Sequence, residues 1–176
     1  MLIIDKEVNI DTDYLNLSFF GEIDNNEFKK LTQFKNLKHL NMSSSDLLDK
    51  HLVFIGQVET IELLDLDSTE ITDSGLVNLN QLKRLRELRI KDNPQLTNDC
   101  IEFLSDIEQL ELIHIANTSI TKTGLIKLLT KKELKSVILG SEFDNEIDEL
   151  LKITEMCPKL EITLKGKCLI SNGKLS

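Results

Sequence analysis

The sequence predicts a mixed α/β solenoid in which short parallel strands form one layer and short helices the other. Three observations carry that prediction. Leucine fills 32 of the 176 positions, beside 7 glycines, 2 prolines and no tryptophan, a skew expected when one core position is used many times. Apolar residues alternate at the start of six successive segments and recur about every third residue toward the end of each, the periods of a half-buried strand and a short helix. Those segments begin at Thr12, Leu37, Ile61, Leu85, Leu110 and Leu134, with a truncated echo (LEITL) from Leu160, so the starts lie 24–26 residues apart. A unit of that length is shorter than the ~30 residues of a βαβ element and cannot stand alone; stacking buries its apolar side.

In chain order, residues 1–11 are expected to cap the first coil, with Leu2, Ile3, Ile4, Val8 and Ile10 covering core that a solenoid end would expose. Residues 12–159 hold the six repeats. Their strands show in Leu64/Leu66, Leu88/Ile90 and Ile113/Ile115, their helices in Leu76/Leu79/Leu82, Ile101/Leu104/Ile107 and Leu125/Leu128. Thr72 and Thr121 stand where their hydroxyls would cap helices, and Asp73 faces the positive end of one. Gly75 and Gly124 fall in the first helical turn, where glycine costs roughly 1 kcal/mol relative to alanine; close packing against the neighbouring helix is the expected reason. Ser45, Thr69, Asn93 and Thr118 share one position between strand and helix, where a small polar side chain can satisfy turn backbone. Ile162, Leu164, Leu169 and Ile170 around Lys165-Gly166-Lys167 predict a closing hairpin over residues 160–170, followed by a frayed tail at 171–176. A single domain accommodates the whole chain.

Acidic residues outnumber basic ones 30 to 21, a formal charge of −9 that disfavours nucleic acid as a partner. No apolar run reaches the ~18–20 residues of a membrane span. The opening MLIIDKEVNID is charged by its fifth residue and has no apolar signal core. Cys100, Cys157 and Cys168 form an odd, sparse set without Cys-x-x-Cys spacing, which fits a reducing compartment. A cytoplasmic protein is expected, with export lacking a cleavable signal as the alternative.

The L-x-x-L-x-L openings, with DSTEITDSGLVNL and ANTSITKTGLIKL after them, resemble the leucine-rich-repeat superfamily from about Thr12 to Leu164. Within it they are similar to the ribonuclease-inhibitor-like, cysteine-containing and GALA subclasses, whose repeats end in a helix beginning near I-T-D-x-G-L. The resemblance implies a right-handed α/β horseshoe that binds another protein on its concave sheet. Several such relatives are substrate-recognition arms of F-box ubiquitin ligases, or bacterial proteins that imitate them inside host cells. With eleven residues ahead of the first repeat and no ligase domain after the last, neither an F-box nor ligase catalysis is expected. Cysteine scarcely appears at the position that names the cysteine-containing subclass.

No phosphate-cradling glycine motif occurs. His39 and His114 point to the concave side three repeats apart, roughly 15 Å at ~4.8 Å per strand, too far to share a metal or a proton. His51 lies in a helical stretch. All three are expected to be ordinary surface histidines, and no catalytic residue, cofactor or metal is assigned. Cys100 begins a helix, where the dipole can lower a thiol pKa, but its counterparts Gly75 and Gly124 favour a small packing residue. Cys157 and Cys168 are expected to plug the core near the closing turn. The runs Lys83–Arg86 and Glu142–Glu149 read as solvated edges.

The strand period fixes what lines the concave face. One column reads Tyr14, His39, Leu63, Glu87, Leu112, Ser136; the next Asn16, Asn41, Asp65, Arg89, His114, Ile138; the third Ser18, Ser43, Asp67, Lys91, Ala116, Gly140. Asp65 and Asp67 beside Arg89 and Lys91 are expected to form a charge-compensated ladder across strands. Tyr14 and Arg89 are residue types enriched at binding hot spots, and Leu63, Leu112 and Ile138 add apolar surface. A non-enzymatic module that binds a protein or peptide on this face is the expected function, the partner carrying mixed charge with some excess of lysine and arginine. The alternative is an inhibitor or substrate-recruiting subunit acting on an enzyme.

Overall fold

The structure is a computed structural model that describes residues 1–3, 6–22 and 24–176 and, of Lys6, the backbone. Strand β1 (Leu2–Ile3) pairs antiparallel with β2 (Lys6–Glu7) as a small hairpin at the N-terminal end. Ile3 is fully buried there and Val8 packs on the core, whereas Leu2 and Ile10 are exposed. The cap therefore works through two of its expected apolar residues, and Ile4 lies outside the described residues.

Seven strands then run parallel, one per coil and in chain order: β3 (Tyr14–Asn16), β4 (His39–Asn41), β5 (Leu63–Asp65), β6 (Glu87–Arg89), β7 (Leu112–His114), β8 (Ser136–Leu139) and β9 (Glu161–Leu164). Neighbouring strands pair without slippage, so equivalent residues of successive repeats stand side by side. Leu15, Leu40, Leu64, Leu88, Ile113, Val137 and Ile162 form one such row through the core. A one-residue slip would turn every member of that row to solvent, which is why the alternation in the sequence fixes the register.

The opposite layer holds α1 (Asn25–Leu31), α2 (Asp49–Ile55), a 3₁₀ helix (Asp73–Gln81), a 3₁₀ turn (Asn98–Cys100) running into α3 (Ile101–Ser105), α4 (Lys122–Lys131), and a 3₁₀ stretch (Ser141–Glu146) running into α5 (Ile147–Met156). Leu76, Leu79, Ile101, Leu104, Leu125 and Leu128 face inward from it. This is a leucine-rich-repeat βα solenoid.

Two devices hold each coil in shape. Ser44, Ser68, Asp92 and Asn117 adopt positive φ near 55° at equivalent positions, all four being residue types that commonly line tight turns and Asp92 and Asn117 types enriched at positive φ. The next residues, Ser45, Thr69, Asn93 and Thr118, bond turn carbonyls, as expected: the hydroxyls of Ser45, Thr69 and Thr118 donate to the backbone three residues earlier. Asn93, fully buried, donates to the carbonyls of Leu66, Ile90 and Lys91 and accepts from the Thr69 N–H.

The helix starts are built differently from the expectation. The hydroxyls of Thr72 and Thr121 do not cap their own helices. Each is instead held by the preceding repeat: Asp49 accepts from the Thr72 N–H and hydroxyl at 2.7 and 2.6 Å, Asp73 from those of Thr97 at 2.8 and 2.7 Å, and the Asn98 amide bonds both groups of Thr121. Asp73 thus serves the next coil rather than its own. The glycines follow from this clasp, since a Cβ at Gly75 would overlap the Asp49 carboxylate and one at Gly124 the Asn98 amide.

At the C-terminal end β9 turns through Gly166 (φ 80°) into β10 (Cys168–Ser171), the hairpin the sequence predicts. Residues 171–176 are not frayed. They continue as β11 (Lys174–Leu175), antiparallel to β10, and the Gly173 N–H donates to the hydroxyl of buried Thr154. Among the described residues no helix is long and apolar enough to cross a membrane.

Candidate interaction surface

The strand register sets the open face of the sheet as the alternation predicts. Tyr14, His39, Leu63, Glu87, Leu112 and Ser136 stand in one row and Asn16, Asn41, Asp65, Arg89, His114 and Ile138 in the next. Exposure along those rows is uneven. Tyr14 and His39 are exposed; Leu63, Leu112 and Ile138 are half-buried; Ala116 and Gly140 of the third column are buried.

His114 departs from the surface histidine expected. It is 8% exposed, its Nε2 has no hydrogen-bond partner among the described residues, and burial beside Lys91, Lys165 and Arg89 pushes its pKa down to about 4. His51 is also buried: its ring stacks on Phe28 at 4.2 Å, its Nδ1 accepts from the Leu48 N–H, and burial with Lys50 nearby lowers its pKa. Both imidazoles are neutral packing groups at pH 7.

On this part of the face the side-chain ion pairs are local in sequence. Arg89 bonds Glu87 within β6, at 2.7 Å from Nε and 2.6 Å from an outer nitrogen, and Lys91 bonds Asp92 at 2.7 Å. Asp65 accepts from the Asp67 N–H and Asp67 from the Lys91 N–H. Of the expected cross-strand ladder, the Asp67–Lys91 backbone bond and the charge compensation of Asp65 and Asp67 by Arg89 and Lys91 remain, without a direct side-chain ion pair. Partial burial, then the neighbouring Asp65 carboxylate, raises the Asp67 pKa to about 6 even with Lys91 and Arg89 close by.

Cys100 is fully buried, and burial with Asp73 beside it pushes its thiol up to about 12, opposite to nucleophilic activation. Cys157 is exposed and does not plug the core, whereas Cys168 is half-buried and packs against it, as expected. Lys83, Arg84 and Arg86 are solvated, and the 142–149 run is mostly so, with Phe143 buried inside it. Among the described residues no group of three or more His, Cys, Asp or Glu is placed to hold a metal. One feature the sequence reading missed is a groove of about 510 Å³ between the end of α4 and the start of β9, lined by Leu129, Lys132, Leu134, Met156, Cys157 and Leu160. The signal for it was Met156, an apolar residue left 75% exposed at a helix end.

No protein-family model matches the sequence. No curated protein matches it either. Solved structures do. Internalin C2 of Listeria monocytogenes is 25% identical, with a TM-score of 0.54 over 76% of this chain and 54% of that one. The internalin inlF of the same organism is 17% identical, with a TM-score of 0.50 over 72% of this chain and 41% of that one. The second actin-binding site of leiomodin-1 is 18% identical, with a TM-score of 0.51 over 80% of this chain and 86% of that one. The chain thus spans about half of internalin C2 and less of inlF, and the shared property is the leucine-rich-repeat fold.

Proposed function

We propose that this chain is a non-enzymatic protein-interaction module that docks a protein or peptide on the open face of its sheet, at Tyr14, His39, Leu63, Asp65, Asp67, Glu87, Arg89, Lys91, Leu112 and Ile138. The observation that supports this most is the unslipped register: a rigid row of strands holds aromatic, apolar and charged side chains in fixed order, so little conformational entropy is lost on binding. At ~4.8 Å per strand, the six repeat strands span roughly 29 Å, enough for the ~800 Å² per partner of a standard interface. A solenoid of similar fold forms an actin-binding site in leiomodin-1. On the same reading the I-T-D-x-G-L helix starts align the repeats with the ribonuclease-inhibitor-like and GALA subclasses. His114 stands in the same outward row but is covered by its neighbours and neutral, so it packs within the face rather than touching a partner.

The test is Leu112→Asp with Arg89→Glu, measured against a copurified partner by titration calorimetry. At least tenfold weaker binding with unchanged circular dichroism is expected. Undiminished binding moves the site off this face.

A further inference from the structure

The first coil departs from the others at the turn after its strand. Where later coils place Ser44, Ser68, Asp92 and Asn117 at positive φ, the first places Phe19, at φ 62° and 81% exposed. A bulky residue is disfavoured in that backbone region, and an aromatic ring is disfavoured in water. The following residue departs too: Phe20 takes the position of Ser45, Thr69, Asn93 and Thr118.

Charge is distributed just as unevenly. Residues 1–75 contain 15 acidic and 6 basic side chains, and residues 76–176 contain 15 of each, so the whole net charge of −9 lies within residues 1–75. Around the turn, Glu22, Asp24 and Asp46 are exposed, and the Asp46 N–H donates to the Phe20 carbonyl. Along the rim of the sheet the Phe19 N–H donates to Ser43 and the Ser44 N–H to Asp67. The Phe19 backbone therefore stands two strand spacings, roughly 10 Å, from that of Asp67, with Ser43 and Ser44 of the intervening coil between them and Asn41 beside Asp65.

We infer that the N-terminal end of the open face is the docking point for a lysine- or arginine-rich segment of a partner protein, with Phe19 as the apolar anchor and Asp65 and Asp67 as the charge partners. This rests on the docking reading above and adds the chemistry and the position of the partner. An arginine fits the gap: its guanidinium can lie on the Phe19 ring while a neighbouring cation meets the carboxylates. The acidic coils also speed the approach of a basic partner.

The test uses the full chain as bait for a displayed library of random 12-residue peptides, with enriched peptides titrated by fluorescence anisotropy at 0.15 M salt. An excess of lysine and arginine among them is expected. Phe19→Ser, and separately Asp65→Asn with Asp67→Asn, should each weaken binding at least tenfold, while Val77→Ser, exposed on the helical layer away from the sheet face, changes it less than twofold. Serine is the residue of two later coils at this position, so Phe19→Ser retains the turn; thermal unfolding checks each variant. Peptides without a basic excess, or binding indifferent to Phe19→Ser, overturn the inference. Peptides lost on Leu112→Asp but not on Phe19→Ser overturn it while leaving the docking reading in place, and a selection that enriches nothing removes both.

Discussion

At their helix starts coils two to five are stitched each to the next, whereas at the junction of coils one and two each side satisfies its own groups. At the later junctions Asp49, Asp73 and Asn98 reach across to Thr72, Thr97 and Thr121. At the first junction the equivalent of the clasped threonine is Leu48, which has no hydroxyl. Asp24, the counterpart of Asp49, turns inward and caps its own helix by accepting from the Asn26 N–H, and the orphaned Leu48 N–H is taken by His51. Both solutions satisfy the same backbone groups. Only the first kind couples neighbours, so cooperativity in this solenoid is set by a handful of polar side chains as well as by the leucine core.

The largest effect should come from filling the space the clasp occupies. Gly75→Ala should destabilise by about 1–3 kcal/mol, because the new methyl displaces the Asp49 carboxylate, against a helical preference for alanine of about 1 kcal/mol. Gly21→Ala, whose Cβ would meet nothing closer than 3.7 Å, should be nearly neutral. Urea unfolding of the two variants decides; equal effects would remove the distinction between the junctions.

Removing the clasps themselves should cost less. Asp49→Ala leaves the Thr72 N–H and hydroxyl without their partner and should lower stability by about 1–2 kcal/mol. Asp24→Ala should cost a similar or smaller amount, about 0.5–1 kcal/mol. The location of the effect separates them: amide exchange should rise on both sides of the junction for Asp49→Ala, and only in α1 for Asp24→Ala.

Acid should sharpen the contrast further. The first junction depends on a neutral His51, whose folded pKa lies below its unfolded value, so its contribution is complete above about pH 6.5 and is lost as pH falls through the lowered folded pKa. Protonation removes the Nδ1 acceptor from the Leu48 N–H. His114 acts with the same sign in the fifth coil. Protection against amide exchange in α2, referred to the intrinsic rate at each pH, should therefore fall as pH drops below about 6.5, and in His51→Asn that loss should vanish while the His114 contribution remains.

The core was legible because it repeats: a leucine every second residue fixes the row Leu15 to Ile162 without knowledge of its neighbours, and the Ser45–Thr118 turn residues showed themselves in the same way. The clasps were not legible, since each joins polar residues about 24 positions apart and Thr72 reads equally well as a cap for its own helix. The burial of His114 escaped for a related reason. Alternation tells which side a residue faces, but not how deeply its neighbours cover it, and the half-buried Leu63, Leu112 and Ile138 were overestimated on the same ground. Phe19 stood in plain view in the sequence, yet only the positive φ and the polar residues at matching turns give it meaning.

The clasp also constrains how this molecule can change length. Because each reaching side chain finds its receiver one full circuit later, cutting out an internal circuit leaves every surviving arm with a hand to hold only if the excision is a whole number of circuits. A deletion of half that size would remove a strand or a helix from one circuit and leave the reaching side chain without its threonine. Evolution and the protein engineer alike can therefore shorten or extend this chain only in integer steps.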